Sequence, residues 1–454
     1  MTQQPASPQT PQTARDYATR DYIRFQPALY LHIPFCAARC AYCDFNTYAG
    51  LEAFFEPYVS ALREEIRRAG ELLGRPPART IFIGGGTPTV LPVALLEQTL
   101  DFCFAAFDLD PSAEITCEAN PGTTDQARFA TLRARGVNRL SMGVQSFDDA
   151  ELQWLGRIHT AIEAESAFSQ ARAAGFENIN LDLIFGLPGS WRSPASFAGK
   201  QETASWQRTL ARALALGPEH LSLYSLTVEQ GTPLARQVRS GRVPAPDDDL
   251  AADLYQIACD TLAQQDYVHY EISNWARSTN QRINESTNQP SDTGGQPSAV
   301  SHPQSTIRNP QSAIRNQCLH NLVYWRHEPY MGFGAGAHSF DGARRWWNVR
   351  SVPRYIARLE ADRSPRAGGE RIDRRLAMGE TMMLGLRLLE EGVPDERFRA
   401  QFGLDLEDVF GAEIGDLVAL GLLERLPDRV RLTPAGVLLG NRVFAEFMDD
   451  DARP

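Results

Sequence analysis

Six short apolar runs in the first half of the chain constrain its fold more than any other feature. They are LYLHIP (29–34), TIFIGGG (80–86), AEITCEA (113–119), RLSMGVQ (139–145), NINLDLIFGLP (178–188) and HLSLYSL (220–226). Each is rich in apolar residues and ends in Gly, Pro, Asn or a polar side chain, as strands buried on both faces do. Helical patterns lie between them. In 56–73, Val59, Leu62, Ile66 and Ala69 share one face, and 92–107 and 161–176 behave similarly. Strand–helix alternation repeated six times predicts an α/β fold, with a parallel sheet closed or partly closed into a (β/α)6-type barrel over 28–275. Chemistry in such folds sits on the loops after the strands' C-terminal ends. The polar oddities of this chain occupy those places: a cysteine cluster, GGGTP, CEANP, Gln145 and Asp182.

The remaining segments differ in kind. Residues 1–27 begin with a Gln, Pro, Thr and Ser-rich stretch that predicts a disordered tail. Residues 276–317 are mostly Ser, Thr, Asn, Gln, Pro, Gly and Arg, with STNQ and IRN each occurring twice, which predicts a disordered low-complexity insertion. An extension of the barrel is expected over 318–372. Residues 373–454 pattern as helix, helix, helix, ribbon and a final helix, a winged-helix-like module. Its charge is not basic, and the whole chain carries 45 Lys and Arg against 56 Asp and Glu, a net charge of −11. That balance argues against nucleic acid as a partner. No run approaches the roughly 18 apolar residues of a membrane span, and the N-terminus has no apolar export core. A cytoplasmic protein is expected, and its seven cysteines are not expected to form a disulfide framework.

Three of those cysteines fall within eight residues, in YLHIPFCAARCAYCDF: Cys36, Cys40 and Cys43, spaced C-x3-C-x2-C. Three thiolates on one compact loop suit three irons of a 4Fe–4S cube and leave the fourth iron open to a small molecule. Zinc is the competing reading, but a structural zinc site wants four ligands, and no second Cys or His pair stands nearby.

C-x3-C-x2-C after a first strand resembles the radical S-adenosylmethionine (radical SAM) superfamily. The wider set narrows the resemblance: GGGTPT (84–89), CEANPGT (117–123), RLSMGVQSFDDAELQWLGRIHT (139–160), LDLIFGLPG (181–189), YEISNWA (270–276), HNLVYW (320–325) and GFGAGAHS (332–339). Together they resemble the branch holding oxygen-independent coproporphyrinogen III oxidase and the HemW-type haem chaperones, over about 28–450 apart from the insertion. The resemblance implies a 4Fe–4S cluster on Cys36, Cys40 and Cys43, with S-adenosylmethionine chelated at the open iron. Cleavage of its sulfonium bond by one electron from the cluster gives a 5′-deoxyadenosyl radical in that superfamily. Residue by residue it implies cofactor contacts for Tyr30, for Gly85, Gly86 and Thr87 of the glycine loop, and for Glu118, Gln145, Arg157 and Asp182. Phe45 follows the cluster and joins that set. The blander readings are strand-end turns for the glycines, helix caps for Glu118 and Asp182, a loop hydrogen bond for Gln145 and a solvated charge for Arg157.

Two functions remain open. One is haem binding and transfer to an acceptor protein, with a reducing electron donor serving the cluster. The other is oxidative decarboxylation of coproporphyrinogen III. The oxidase pattern continues C-x3-C-x2-C-x-C, and here Phe45 stands at the last position. HNLVYW resembles the H-N-x-x-Y-W motif of the chaperones, and the N-terminus lacks the oxidase's extra substrate-covering segment. These features favour the chaperone. His320 is then the first candidate haem ligand and His338 a second. Tyr324 and Trp325 are candidates for stacking on a porphyrin, or for ordinary core packing. C-x-x-C-H is absent, so Cys318 carries no sign of covalent haem attachment.

Overall fold

The computed structural model describes residues 26–188, 203–278 and 316–448. The expected N-terminal tail and the low-complexity insertion therefore lie almost entirely outside the described residues.

The six apolar runs form six parallel strands that neighbour one another in sequence order. They are β1 (Ala28–Ile33), β2 (Pro77–Gly85), β3 (Asp108–Ala119), β4 (Arg139–Gln145), β5 (Ile179–Phe185) and β6 (His220–Ser225). Two additions lengthen this core. On the β6 side lies an antiparallel hairpin of β7 (Tyr267–Glu271) and β8 (Asn274–Arg277), so the strand pairing runs two residues past the expected boundary at 275. On the β1 side, β9 (Tyr330–Phe333) pairs parallel to β1. It is followed by antiparallel β10 (His338–Phe340), β11 (Arg344–Asn348) and β12 (Arg366–Arg371). Among the described residues this is one 12-stranded sheet with β12 and β7 at its two edges, an open and therefore partial barrel.

Helices follow the strands as the periodicity requires. They are α1 (Phe55–Leu73), α2 (Val93–Ala106), α3 (Gln126–Ala134), α4 (Asp149–Leu155), α5 (Ala161–Ala173), α6 (Thr203–Leu216), α7 (Pro233–Arg239), α8 (Asp248–Ala263), α9 (Leu319–Trp325) and α10 (Val352–Glu360). In α1, Val59, Leu62, Ile66 and Ala69 are all buried, the face the sequence predicted. Local chemistry sets the ends. Asp148 accepts the backbone N–H groups of Ala150 and Glu151 at the start of α4, and Thr160 and Glu163 form a reciprocal capping box on α5.

The C-terminal part has its own apolar core, in which Met382, Phe398, Phe410 and Val430 are fully buried. It comprises α11 (Arg374–Gly385), β13 (Val393–Pro394), α12 (Asp395–Phe402), α13 (Leu406–Ala419), β14 (Leu423–Leu426), β15 (Arg429–Leu432), α14 (Pro434–Leu438) and α15 (Gly440–Ala445). Its three strands pair antiparallel in the order β13-β15-β14, giving the helix-and-wing arrangement. The single final helix expected after the ribbon is instead two short ones, because Leu439 leaves helical geometry (φ −110, ψ 23). No helix among the described residues is long and apolar enough to cross a membrane.

Candidate functional site

Strand register places the polar oddities at one end of the barrel. Ile33 of β1 pairs with Gly85 of β2, Glu118 of β3 with Ser141 of β4, and Gly143 of β4 with Asp182 of β5. Alternation of side chains along a strand turns Tyr30 and His32 of β1 to the same face. The cysteine loop leaves β1 directly and is stitched back beside it. Cys36 N donates to Tyr48 O (2.9 Å) and Tyr48 N to Pro34 O (2.8 Å).

The glycine loop then packs onto the cysteine loop. Gly86 N donates to Ile33 O and Thr87 N to Phe35 O, both at 2.8 Å. A side chain at position 86 has no room: a Cβ there would lie 2.5 Å from the carbonyl oxygen of Phe35 and 3.0 Å from Cys36 Sγ. Gly85 has φ +114, and a Cβ on it would strike the His32 ring at 2.6 Å, so only glycine satisfies both the conformation and the approach. Its free N–H donates to Glu118 Oε2 at 3.0 Å.

A cavity of about 440 Å³ opens between these loops and the strand ends. Cys36, Cys40 and Cys43 stand on its wall together with Gly85, Gly86, Thr87, Glu118, Gln145, Arg157 and Asp182, and Phe45 is at its margin, 63% exposed. Each thiol has a polar neighbour. Thr87 Oγ1 is 3.8 Å from Cys36 Sγ, Arg157 Nη1 is 3.4 Å from Cys40 Sγ, and Thr47 Oγ1 is 4.0 Å from Cys43 Sγ. Burial raises the Cys36 and Cys43 thiols above the ordinary thiol range, and the neighbouring cysteines add to the rise. Among the described residues no three His, Cys, Asp or Glu side chains close around the point that a single ion would occupy. The three thiols stand along the cavity wall.

The bland readings of the polar residues do not describe their partners. Glu118 accepts from the glycine loop, and burial, with the charge of Asp182 adding, pushes its carboxyl up to about 8. Asp182 accepts from Ser141 Oγ (3.1 Å) and Asn180 Nδ2 (2.8 Å), and burial raises it too. Arg157 follows Gly156, the left-handed cap of α4 (φ +76). It spans from Cys40 Sγ to Gly143 O, which its Nη2 reaches at 2.7 Å. Gln145 ends β4 with φ +72, unusual for a side-chain-bearing residue.

Tyr30 and His320 stand elsewhere. Tyr30 OH lies 3.0 Å from His32 Nδ1, and His32 Nε2 lies 3.0 Å from the carbonyl oxygen of Asn46. A carbonyl only accepts, so Nε2 carries the proton and Nδ1 accepts from Tyr30. His32 and Asn46 thus join the cysteine loop to β1. Their role is not legible from residue type, although His32 sits two residues from Tyr30 on the same face of β1. His320 is buried deep in the barrel on α9, toward the strands' N-terminal ends. Its Nδ1 is 2.8 Å from Thr80 Oγ1 and its Nε2 is 2.9 Å from Tyr324 OH. Glu114 accepts the backbone N–H groups of Leu319 (3.0 Å) and His320 (3.1 Å), which plugs α9 into the lumen. Burial, with Arg139 adding, holds the His320 imidazole down to about 3, hence neutral. Both ring nitrogens of His320 are thus engaged within the protein, and the ring lines a small cavity of about 210 Å³ together with Tyr30, Glu118, Asp182 and Tyr324. Cys318, fully buried beside Glu114, is likewise enclosed.

A second cavity, of about 720 Å³, adjoins the first through Asp44, Phe45, Gly85 and Glu118, which line both. Its other walls come from β1 and the β9–β11 extension, with Tyr30, Tyr330, His338 and Trp347 among them.

A family model described as the radical SAM superfamily matches residues 30–191, and one described as the HemN C-terminal domain matches 372–439. The heme chaperone HemW of Bacillus subtilis is 35% identical, with 93% of this chain and 99% of that protein covered. HemW of Mycobacterium tuberculosis is 36% identical over 92% and 94%, and HemW of Escherichia coli 33% over 93% and 98%. Among solved structures, coproporphyrinogen III oxidase (HemN) from Escherichia coli, a radical SAM enzyme, superimposes with a TM-score of 0.73 at 24% identity, covering 94% of this chain and 91% of that one. That last likeness speaks to the fold.

Proposed function

This chain belongs to the HemW family within the radical SAM superfamily, and from that premise we propose that it is a haem chaperone: it binds haem and passes it to an acceptor protein. One observation carries the reading. A cavity walled by three thiols and a larger aromatic one share a wall at Asp44, Phe45, Gly85 and Glu118. In this reading Cys36, Cys40 and Cys43 hold a 4Fe–4S cluster, and S-adenosylmethionine lies against Gly85, Gly86 and Thr87 with Glu118 in reach of its ribose hydroxyls. The closeness of Gly86 to Cys36 Sγ supports this, since only bare backbone fits between the thiol and the glycine loop. When bound, such a cluster supplies a low-potential electron and an open iron for an amino acid chelate. Residues of this chain do the rest. Arg157 sets a positive charge beside the Cys40 sulfur, where cluster and thiolates accumulate negative charge. Gly85 N–H orients the Glu118 carboxyl, and Asn46 ties the cysteine loop to the wall of the second cavity. Haem is cargo in the second cavity, whose volume falls within the roughly 300–1,000 Å³ of small-molecule sites.

The test is anaerobic reconstitution of the wild-type chain and of a Cys36→Ala, Cys40→Ala, Cys43→Ala triple variant. Wild type is expected to hold iron and sulfide, bind S-adenosylmethionine and shift the Soret band of added haem. The triple variant is expected to hold neither iron nor sulfide. Iron and sulfide at wild-type levels in the triple variant would overturn the cluster assignment. Conversion of coproporphyrinogen III to protoporphyrinogen by the reduced, S-adenosylmethionine-supplied protein would replace the chaperone reading with the oxidase one.

A further inference from the structure

We infer that His338 is the side chain that takes the haem iron, on the wall of the second cavity. The inference rests on the haem-binding reading above and specifies its ligand. The sequence contains eight histidines, of which His302 lies outside the described residues. Among the others, six are engaged. His32 is held by Tyr30 and Asn46, His159 by Asn120 and Val144, and His220 by Asn180 and Tyr270. His269 is held by Tyr255 and Ile272, His320 by Thr80 and Tyr324, and His327 by Thr381 and Glu380. Among the described residues, His338 is the one whose ring nitrogens make no hydrogen bond, and it is exposed to the cavity that it lines.

Its surroundings are built to hold that ring in place while leaving its nitrogens open. β10 presents His338 opposite Trp347 of β11, and the two rings stack with centroids 5.7 Å apart at 29°. Trp347 in turn lies over Gly368 of β12, its strand partner: a Cβ at position 368 would come within 2.7 Å of the indole. The glycine therefore gives the indole a flat seat, and the indole fixes the imidazole plane. Tyr324 and Tyr330 meet edge to face, with centroids 4.7 Å apart, as a second aromatic wall suited to a porphyrin face. Arg350 lines the same cavity and supplies a cation for a propionate. Asp44 lies on the side shared with the thiol cavity, opposite in role to Arg350, so the propionates are directed away from that side. The bond is dative, from an imidazole lone pair to iron, and no electron is transferred in forming it.

The experiment titrates ferric haem, and separately metal-free protoporphyrin, into the reconstituted full chain and its His338→Ala variant, with iron and sulfide content as the check on folding. Wild type is expected to show the Soret and visible bands of an imidazole-ligated haem. His338→Ala is expected to bind haem at least tenfold more weakly, to lose those bands and to recover them with added imidazole. Its affinity for metal-free protoporphyrin should stay within twofold of wild type. A His338→Ala variant that keeps the wild-type haem spectrum and affinity overturns the assignment. So does a loss of the imidazole bands in His320→Ala while that variant still loads iron and sulfide. A wild-type chain that does not bind haem at all overturns the chaperone reading and this assignment together, and so is told apart from failure of the ligand alone.

Discussion

Replacing Gly86 by alanine tests whether the thiol cavity is a built cradle. The added Cβ would stand 2.5 Å from the carbonyl oxygen of Phe35 and 3.0 Å from Cys36 Sγ, where ordinary contact begins at 3.4 Å. Relief needs 3.4 − 2.5 = 0.9 Å of movement at the oxygen and 3.4 − 3.0 = 0.4 Å at the sulfur. The oxygen is backbone, and it accepts the Thr87 N–H at 2.8 Å, so no rotamer change can absorb the shift. The two loops must part, taking Thr87 away from Cys36. Overpacking of this sort costs about 1–3 kcal/mol, which corresponds to about 5- to 150-fold in a binding constant. Gly86→Ala should therefore load less iron and sulfide on anaerobic reconstitution, bind S-adenosylmethionine by about that factor more weakly in calorimetry, and unfold at lower urea. Gly415→Ala is the control. It lies in α13 with nothing within 4 Å of the new Cβ, and alanine in a helix is favoured over glycine by about 0.5–1 kcal/mol. It should leave iron, sulfide and S-adenosylmethionine binding intact and raise the urea midpoint slightly. A Gly86→Ala chain with full iron and sulfide, S-adenosylmethionine affinity within twofold of wild type and the wild-type urea midpoint would refute the cradle argument.

Glu118→Gln should change how stability depends on pH. The folded carboxyl titrates at about 8 against an ordinary 4.5, so between those values the folded chain holds a proton that the unfolded chain has lost, and stability falls as pH rises through the window. Glutamine removes that term, and urea midpoints at pH 5, 7 and 9 should fall less steeply than in wild type; parallel profiles would count against it. Part of the slope should persist, because Glu65 is also raised, to about 7, by burial. His320→Ala should destabilise the chain by about 2–4 kcal/mol, since it opens a cavity and strands the hydroxyls of Thr80 and Tyr324. A urea-derived loss under about 0.5 kcal/mol would show that α9 does not depend on this histidine.

The parallel core was legible because its strands are buried on both faces, and burial on both faces writes itself as unbroken apolar runs. The run 139–145 coincides with β4 from Arg139 to Gln145. The flanking strands were not legible for the opposite reason. β12 reads RAGGER and is mostly exposed, so only its pairing with β11 defines it. At the site, the residue types at the strand ends could be read, but the location of HNLVYW could not. Its helix is held in the lumen by the Glu114 carboxylate, about two hundred positions earlier in the chain. Nothing in the local pattern distinguishes a histidine that faces a ligand from one whose two nitrogens are taken by Thr80 and Tyr324. For the same reason, sequence ranked His320 above His338: the motif drew attention, while the open valences of His338 exist only in three dimensions.

The geometry also bears on how two ligands would sense each other. Asn46, three residues after Cys43, donates through Nδ2 to Ala335 O (2.9 Å) and Arg350 O (3.0 Å), and its own carbonyl accepts from His32. Tyr48 OH adds a contact to Arg350 O at 3.2 Å. Gly336 has φ +78, and a Cβ there would lie 2.6 Å from Asn46 Nδ2, so the turn admits this amide only because it is glycine. The cysteine loop and the turn that carries the second cavity's wall are thus one hydrogen-bonded piece. Each such bond contributes about 0.5–1.5 kcal/mol net, so the three that cross to the turn together resist separation with about 1.5–4.5 kcal/mol. That is comparable with the roughly 1–3 kcal/mol by which coupled sites commonly influence one another. A ligand that moves the cysteine loop must carry the 335–350 turn with it or break this set. Because binding linkage is reciprocal, occupation of the aromatic cavity must then shift affinity at the thiols by the same factor that occupation at the thiols shifts affinity in the aromatic cavity.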